Sequence, residues 1–374
     1  MDYDLIIVAG EPSGDEHAAC MLNHLKLINP DLKIAAVCGP QMRQAYPLKE
    51  ILGIEKLSIM GFVDVLKNLG KLFFAYRKIL NFILRSNAQL VLFVDYPGMN
   101  LKLAKTLRKK GFKGKLWHYI APTAWAWKKS RVYTLKQCCD HLFCILPFEQ
   151  EFFTSYGIKT SYIGHPLVQK LKNDLEPIDK DPYLIGIFPG SRVHEIEKNL
   201  KPVLEALVPI LNSHPHHRLG ISIARAELKT LIENHVQSYN LQSRVIYDND
   251  TLKLMKLATF AVAKSGTCNL ELALLGTPTL VIYAISKLDL WIARSLFKIN
   301  LPFYSLPNLI LHKQVFQELY GPLFNQEKLT FHINELIHSK HLASPSLELL
   351  DHLGLCDPGL KLATQLSSYL QSTH

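Results

Sequence analysis

The 374 residues contain little from which a covalent or metal framework could be built. The seven cysteines are odd in number and no C-x-x-C pair occurs, so neither a disulfide scaffold nor a structural zinc site is expected, and a reducing cytoplasm is the expected setting. No apolar run reaches the ~18 residues of a membrane span. Asp2 and Asp4 lead straight into an apolar strand, which speaks against a secretory signal. There is no fixed-period repeat and no low-complexity tract. The G-x-G-x-x-G dinucleotide fingerprint is missing, and no Lys-Ser/Thr follows Gly14 to make a P-loop. These absences leave a globular chain of ordinary composition, 48% hydrophobic and 20% charged, whose length suggests two domains.

Strand-like runs recur at 4–8, 33–37, 90–94, 115–120, 141–145, 184–188, 219–223, 244–247, 260–263 and 279–283, mostly separated by segments of helical spacing. That alternation predicts an α/β protein with parallel sheets. Two strand-turn-helix starts lie roughly half a chain apart, at Ala9 to Asp15 and at Phe188 to Arg192. They predict two Rossmann-like domains facing each other across a cleft. The polar stretch 170–182, with two prolines, is the expected linker, giving domains 1–170 and 183–345. Terminal helices over 346–374 are expected, with Leu360, Ala363, Leu366 and Leu370 spaced to pack back on the first domain or to exchange between subunits.

Chemistry-bearing residues fall at the ends of the expected strands, where open parallel sheets gather ligands. Lys264 to Glu271 passes from strand to helix through Ser265-Gly266-Thr267, an arrangement that offers backbone N–H groups and a positive dipole end to a phosphate. Glu271, one turn on, can reach a sugar hydroxyl; an ordinary turn capped by Thr267 is the competing reading. Arg192 adds a guanidinium fork after Pro189-Gly190-Ser191, suited to a pyrophosphate. Glu11 and Asp15, in the first glycine-rich turn, suit hydroxyls better than phosphates. Asp95 ends the run Leu90 to Val94 and is the candidate general base, against a reading as helix cap. His118 to Trp127 resembles a sugar platform, although buried aromatics explain the indoles equally well. Asp248-Asn249-Asp250 reads as a helix cap in preference to a metal-binding D-x-D.

The net charge of +10 is concentrated in the first domain. Between Ile59 and Arg85, Lys67, Lys71, Arg77, Lys78 and Arg85 interleave with Leu66, Leu69, Leu72, Phe73, Phe74, Phe82 and Ile83. Such a segment can lie in the headgroup layer of an anionic membrane, or can pack on a core with a solvated basic face. A second basic stretch runs from Lys105 to Lys115. No nucleic-acid motif accompanies either, and nucleic acid is not expected as a partner.

Taken in order, Ala9 to Asp15, Val94-Asp95-Tyr96-Pro97 to Leu101, His118 to Trp127, Leu146 to Glu149, Gly164-His165, Pro189 to Arg192, Ser265-Gly266-Thr267 with Glu271, and Ser305 to Asn308 resemble the lipid-A-disaccharide synthase family. The resemblance covers residues 9 to about 310. It implies the B-type glycosyltransferase architecture and transfer from UDP-2,3-diacylglucosamine to 2,3-diacylglucosamine 1-phosphate, with inversion, no cofactor and no metal. Asp95 would be the base on the acceptor 6-hydroxyl and Glu11 would orient a sugar. Arg192 and Asn308 would hold the donor, while Gly266, Thr267 and Glu271 would surround the UDP. The matching motifs add Gly10, Ser13, Gly14, Asp15, His118, Ser191 and Ser265 to the expected substrate contacts. Leu66, Leu69, Leu72, Phe73, Lys67 and Lys71 are the expected acyl or membrane contacts. The implied setting is the cytoplasmic face of the inner membrane, as monomer or homodimer. Gly98 stands where the family has a second aspartate, Cys268-Asn269 replace small residues, and a basic residue after Val281-Ile282-Tyr283 is absent. A nucleotide-sugar epimerase and a non-catalytic lipid-sugar-binding homologue are the alternative readings.

Overall fold

A computed structural model describes residues 2–57, 69–285, 291, 301–339 and 344–372. The chain divides into two compact units, Met1–Gln169 with Leu353–His374, and Lys170–His352. Residues 346–352 therefore belong with the second unit, and only the segment from Leu353 onward returns to the first.

The first unit is built on a seven-stranded, all-parallel sheet in the order β3-β2-β1-β4-β5-β6-β7. Its strands are β1 (Leu5–Ala9), β2 (Ile34–Cys38), β3 (Lys49–Gly53), β4 (Leu90–Val94), β5 (Lys115–Tyr119), β6 (His141–Cys144) and β7 (Thr160–Tyr162). β1 is apolar throughout because both sheet faces are covered, as parallel sheets require. Leu5, Ile7 and Ala9 pack with the helices Pro12–Ile28 and Pro358–Gln371; Ile6 and Val8 pack with Leu69–Arg85 and Pro97–Lys109. In the last helix Leu362, Ala363, Leu366 and Leu370 are fully buried, whereas Leu360 is 44% exposed. Leu362 thus takes the place in the buried stripe that sequence spacing gives to Leu360.

The second unit carries a six-stranded parallel sheet, β10-β9-β8-β11-β12-β13. Its strands are β8 (Asp181–Phe188), β9 (Arg218–Ser222), β10 (Val245–Asp248), β11 (Ala258–Lys264), β12 (Thr279–Tyr283) and β13 (Glu318–Tyr320). Ile185, Ile187, Leu219, Ile221, Phe260 and Val262 face the helices Val193–Ser213, Lys229–Gln237 and Gln326–His338 on one side. Leu184, Phe188, Ala261 and Ala263 face Leu254, Met255 and Leu272 on the other. The central position of β8 and β11 sets the turns after them side by side, since Phe188 pairs with Ala263.

The amphipathic helix Leu69–Arg85 is half core and half surface. Ala75, Ile79, Leu80 and Ile83 are buried, and Leu72, expected at the membrane, packs on that core. Phe73 and Phe74 are exposed at 56% and 72%, with the Arg77 guanidinium 5.6 Å from the Phe73 ring and Lys71 and Lys78 exposed nearby. Leu66, Lys67 and the side chain of Leu69 lie outside the described residues. No described helix is long and apolar enough to cross a membrane. In the other basic stretch, Arg108 is engaged internally: it pairs with Asp140 and donates to the carbonyls of Cys138, Phe112 and Gly114.

Candidate active site

Each unit holds one cluster at the carboxyl edge of its sheet. In the first, β1 and β4 are neighbours with Ala9 beside Val94, so Glu11 and Asp95 emerge together. Their carboxyl groups share a hydrogen bond. Burial, the Asp95 charge and that bond push Glu11 up to about 7. Burial also raises Asp95, opposed by the bonds from Glu11 and the Tyr96 N–H and by the nearby His17 and Arg131. Near neutrality Glu11 therefore stands between its protonated and ionised forms.

The backbone under Asp95 is strained. Asp95 and Tyr96 are consecutive left-handed residues, at φ 47° and 45°, a conformation that L side chains adopt only when their surroundings enforce it. Buried Asn100 enforces it: its Nδ2 donates to the carbonyls of Asp95 (2.7 Å), Val94 and Val8 (3.3 Å each), joining the ends of β4 and β1. The Asp95 N–H donates to Tyr119 O at 2.9 Å. The turned Tyr96 ring lies against Gly10, where any Cβ would overlap it. Asp95 does not cap the following helix; that position is Tyr96, and no side chain caps it.

Three expected substrate residues of this unit have other duties. Asp15 is buried and its carboxylate accepts the N–H groups of Gly39 (2.7 Å), Gln41 (3.0 Å) and Met42 (3.3 Å), which fills it with main-chain donors. His118 is 1% exposed beside Phe93, and burial lowers it to about 4, so it is a neutral core imidazole and not a sugar contact. Gly14 is buried against the Val94 carbonyl, 3.4 Å from where a Cβ would sit, and serves helix-to-strand packing. Ser13 is exposed beside Glu11. Of the two indoles, Trp125 donates to buried Glu149 at 2.9 Å and meets Phe148 edge-on, while Trp127 lies under Lys128 and Arg131. Burial pushes Glu149 up to about 7.

The second unit's cluster is organised by Glu195, which sequence reading passed over. Its Oε2 accepts the Ser191 N–H at 3.1 Å; its Oε1 takes Arg192 Nη1 at 3.2 Å and Lys264 Nζ at 3.1 Å. One buried carboxylate thus braces the turn after β8 and holds the cation at the end of β11. Gly190 is obligatory, at φ 121° and with Glu195 Oε2 2.6 Å from where its Cβ would be. Arg192 and Ser191 are exposed, and Arg225 secures the turn by donating to Ser191 O at 2.7 Å. The pattern that could have revealed Glu195 is its place three residues after Arg192, on the first turn of a helix.

The helix Thr267–Leu274 starts from Gly266 with no side-chain cap, so Thr267 is its first residue and not its cap. A Cβ at Gly266 would meet nothing within 4 Å, so packing does not require glycine there. Ser265 is bonded to Ile282 O and Tyr304 O, and Glu271, raised by burial, senses Lys170. Asn308 is not available to a ligand. It is fully buried, its Nδ2 donates to Phe316 O and Glu318 Oε1 (2.8 Å each), and its Oδ1 accepts Val315 and Phe316 N–H (2.9 Å each). Asp250 accepts the Lys253 N–H and caps the helix Thr251–Leu257, the role expected of it.

A family model described as lipid-A-disaccharide synthetase matches residues 5–346. The chain belongs to this family. The synthase of Chlamydia pneumoniae is 35% identical over 362 residues, covering 95% of this chain and 58% of the relative. That of Nitrosococcus oceani is 33% identical over 342 residues, covering 89% and 87%. The chain spans little more than half the length of the chlamydial relatives. Among solved structures, the UDP-GlcNAc 2-epimerase of Neisseria meningitidis bound to UDP-GlcNAc superposes with a TM-score of 0.63 at 12% identity, covering 98% of this chain and all of that one. At that identity the likeness is one of fold: two Rossmann-like α/β units with parallel sheets. Family membership and the Glu11–Asp95 pair thus coincide in one chain.

Proposed function

We propose that the protein is an inverting hexosyltransferase that joins UDP-2,3-diacylglucosamine to 2,3-diacylglucosamine 1-phosphate, giving lipid A disaccharide 1-phosphate and UDP. The observation that carries this reading is the strained, hydrogen-bonded Glu11–Asp95 pair in a chain of the lipid-A-disaccharide synthetase family. Asp95 takes the proton of the acceptor 6-hydroxyl as that oxygen bonds to the anomeric carbon, and the bond to the diphosphate breaks on the opposite side. Glu11 holds and polarises Asp95 and orients the sugar. The electron pair leaves with UDP, whose diphosphate is neutralised by Arg192, by Lys264 and by the main-chain N–H groups of Gly266 and Thr267 at the uncapped helix start. Gly266 leaves room for phosphate to approach the backbone, and Glu271 meets the ribose. One displacement with one base inverts the centre, and no second nucleophile is required.

Lys264 fills the place of the basic residue missing after β12: its Nζ is 5.5 Å from the Tyr283 ring, on the adjacent strand end. The helix Leu69–Arg85, with Phe73, Phe74 and its exposed cations, is the proposed contact with an anionic membrane on the cytoplasmic side. We further assign acceptor and lipid binding to the first unit and UDP-sugar binding to the second.

Calorimetric titration of UDP alongside turnover separates these roles. Asp95→Asn is expected to abolish UDP release while binding UDP within about twofold of wild type. Arg192→Ala and Lys264→Ala are each expected to weaken UDP by about tenfold or more, the scale of one charge-assisted contact. Unchanged UDP affinity in both cation variants would refute the donor assignment.

A further inference from the structure

Across 333 residues of sequence, the first and last helices bring Cys20, His24 and Asp357 together. Among the described residues this is the one place where three metal-ligating side chains of this kind converge, with one ligand atom from each lying within 4.8 Å of the others. Sequence spacing alone argues against a zinc site, because it registers only ligands close along the chain. Here two ligands are one helical turn apart on Pro12–Ile28, where positions i and i+4 share a face, and the third opens the helix Pro358–Gln371.

We propose that Cys20, His24 and Asp357 form a binding site for a zinc-class divalent cation that clasps the last helix onto the first. The donor set is one thiolate, one imidazole and one carboxylate, which suits borderline-soft zinc and not the oxygen-seeking magnesium or calcium. Tetrahedral zinc with bonds of about 2.0–2.3 Å separates its ligand atoms by roughly 3.3–3.7 Å. His24 Nε2 and Asp357 Oδ2 are 3.0 Å apart, so this edge needs to open only slightly. The third ligand atom closes in from within 4.8 Å by a side-chain adjustment.

The surroundings are arranged accordingly. The other oxygen of Asp357, Oδ1, already accepts the Leu360 N–H at 3.0 Å, which fixes the carboxylate and leaves Oδ2 turned to His24. Gly359 lets the helix come close: a Cβ there would sit 2.9 Å from Cys20 Sγ. All three ligands are partly exposed, so a cation has an entry path. Water, or Glu16 one turn before Cys20, completes the coordination. A bare His24–Asp357 ion pair is the alternative, and it gives Cys20 no part.

The test is independent of the proposed enzyme activity. The full chain, reduced and freed of metal by chelator dialysis, is titrated with Zn²⁺ against a chromogenic chelator and separately with Co²⁺. One ion per chain is expected, with a thiolate-to-cobalt charge-transfer band and a raised unfolding temperature. Cys20→Ser and His24→Gln are each expected to remove the band and to weaken Zn²⁺ by at least about tenfold. Asp357→Asn keeps the helix cap, so it serves if either variant fails to fold, and it should weaken Zn²⁺ likewise. Absence of the band, or zinc uptake unchanged in these variants, overturns the proposal.

Discussion

Glu11 and Asp95 share a hydrogen bond, and in the proposed reaction the proton on Glu11 sets the pH dependence. In the proposed reaction a protonated Glu11 occupies the Asp95 lone pair to which the acceptor hydroxyl would donate. Turnover is therefore expected to rise through an apparent midpoint near pH 7, the value to which Glu11 is pushed. Glu11→Gln keeps a donor on Asp95 permanently, so the variant should be slower and flat between pH 6 and pH 8 on the same kcat/KM profile. A variant retaining the wild-type inflection would contradict the pairing. The sign for stability follows from the same shift: the folded-state value stands above the usual 4.5, so stability present below that pH is lost as pH rises towards about 7. Glu11→Gln should accordingly unfold at a higher temperature than wild type at pH 8, and at nearly the same temperature at pH 4.

At this scale the sequence marked the motif segments but not the contacts that their residues make. Asp15, His118 and Asn308 stand in the motif segments, yet the first and last spend their hydrogen bonds on neighbouring backbone and side chains, and His118 is sealed in the core. Hydrogen-bond saturation is a property of three-dimensional neighbours and leaves no trace in spacing. Glu195 shows the converse, since its partners Ser191, Arg192 and Lys264 are gathered from two turns that only the sheet order makes adjacent.

Among the elements, all ten expected strands occur, and the three that escaped among the described residues are β3, β7 and β13. All three lie at sheet edges. Edge strands are short and partly solvated, so Lys49-Glu50 in β3 or Thr160-Ser161 in β7 carry none of the apolar run that marks a central strand. The helix Pro97–Lys109 offers a test of the residue that departs from the family. Gly98 is exposed in its first turn, and a Cβ there would meet nothing within 4 Å. Gly98→Asp relieves a helical glycine and places a carboxylate at the positive helix end, so it should stabilise by about 0.5–1 kcal/mol in urea unfolding. Destabilisation would mean that this turn is shaped by more than its visible neighbours.

For the molecule as a whole, two sheets and their helices were evident in the alternation of patterns, because parallel sheets covered on both faces require unbroken apolar strands. The return of the last helix to the first unit was open in sequence, since its apolar stripe fits a neighbouring subunit equally well; Leu362, Ala363, Leu366 and Leu370 lie in the first unit's core. The basic, aromatic surface of Leu69–Arg85 and the family assignment are the grounds on which the proposed transfer between lipid-linked sugars is preferred to epimerisation. The most direct measurement is incubation of the purified chain with UDP-2,3-diacylglucosamine and 2,3-diacylglucosamine 1-phosphate, with mass detection of products. The account predicts disaccharide 1-phosphate and UDP in equal amounts, and neither when the acceptor is omitted. Conversion of the donor without acceptor, or no product with both sugars present, would contradict it.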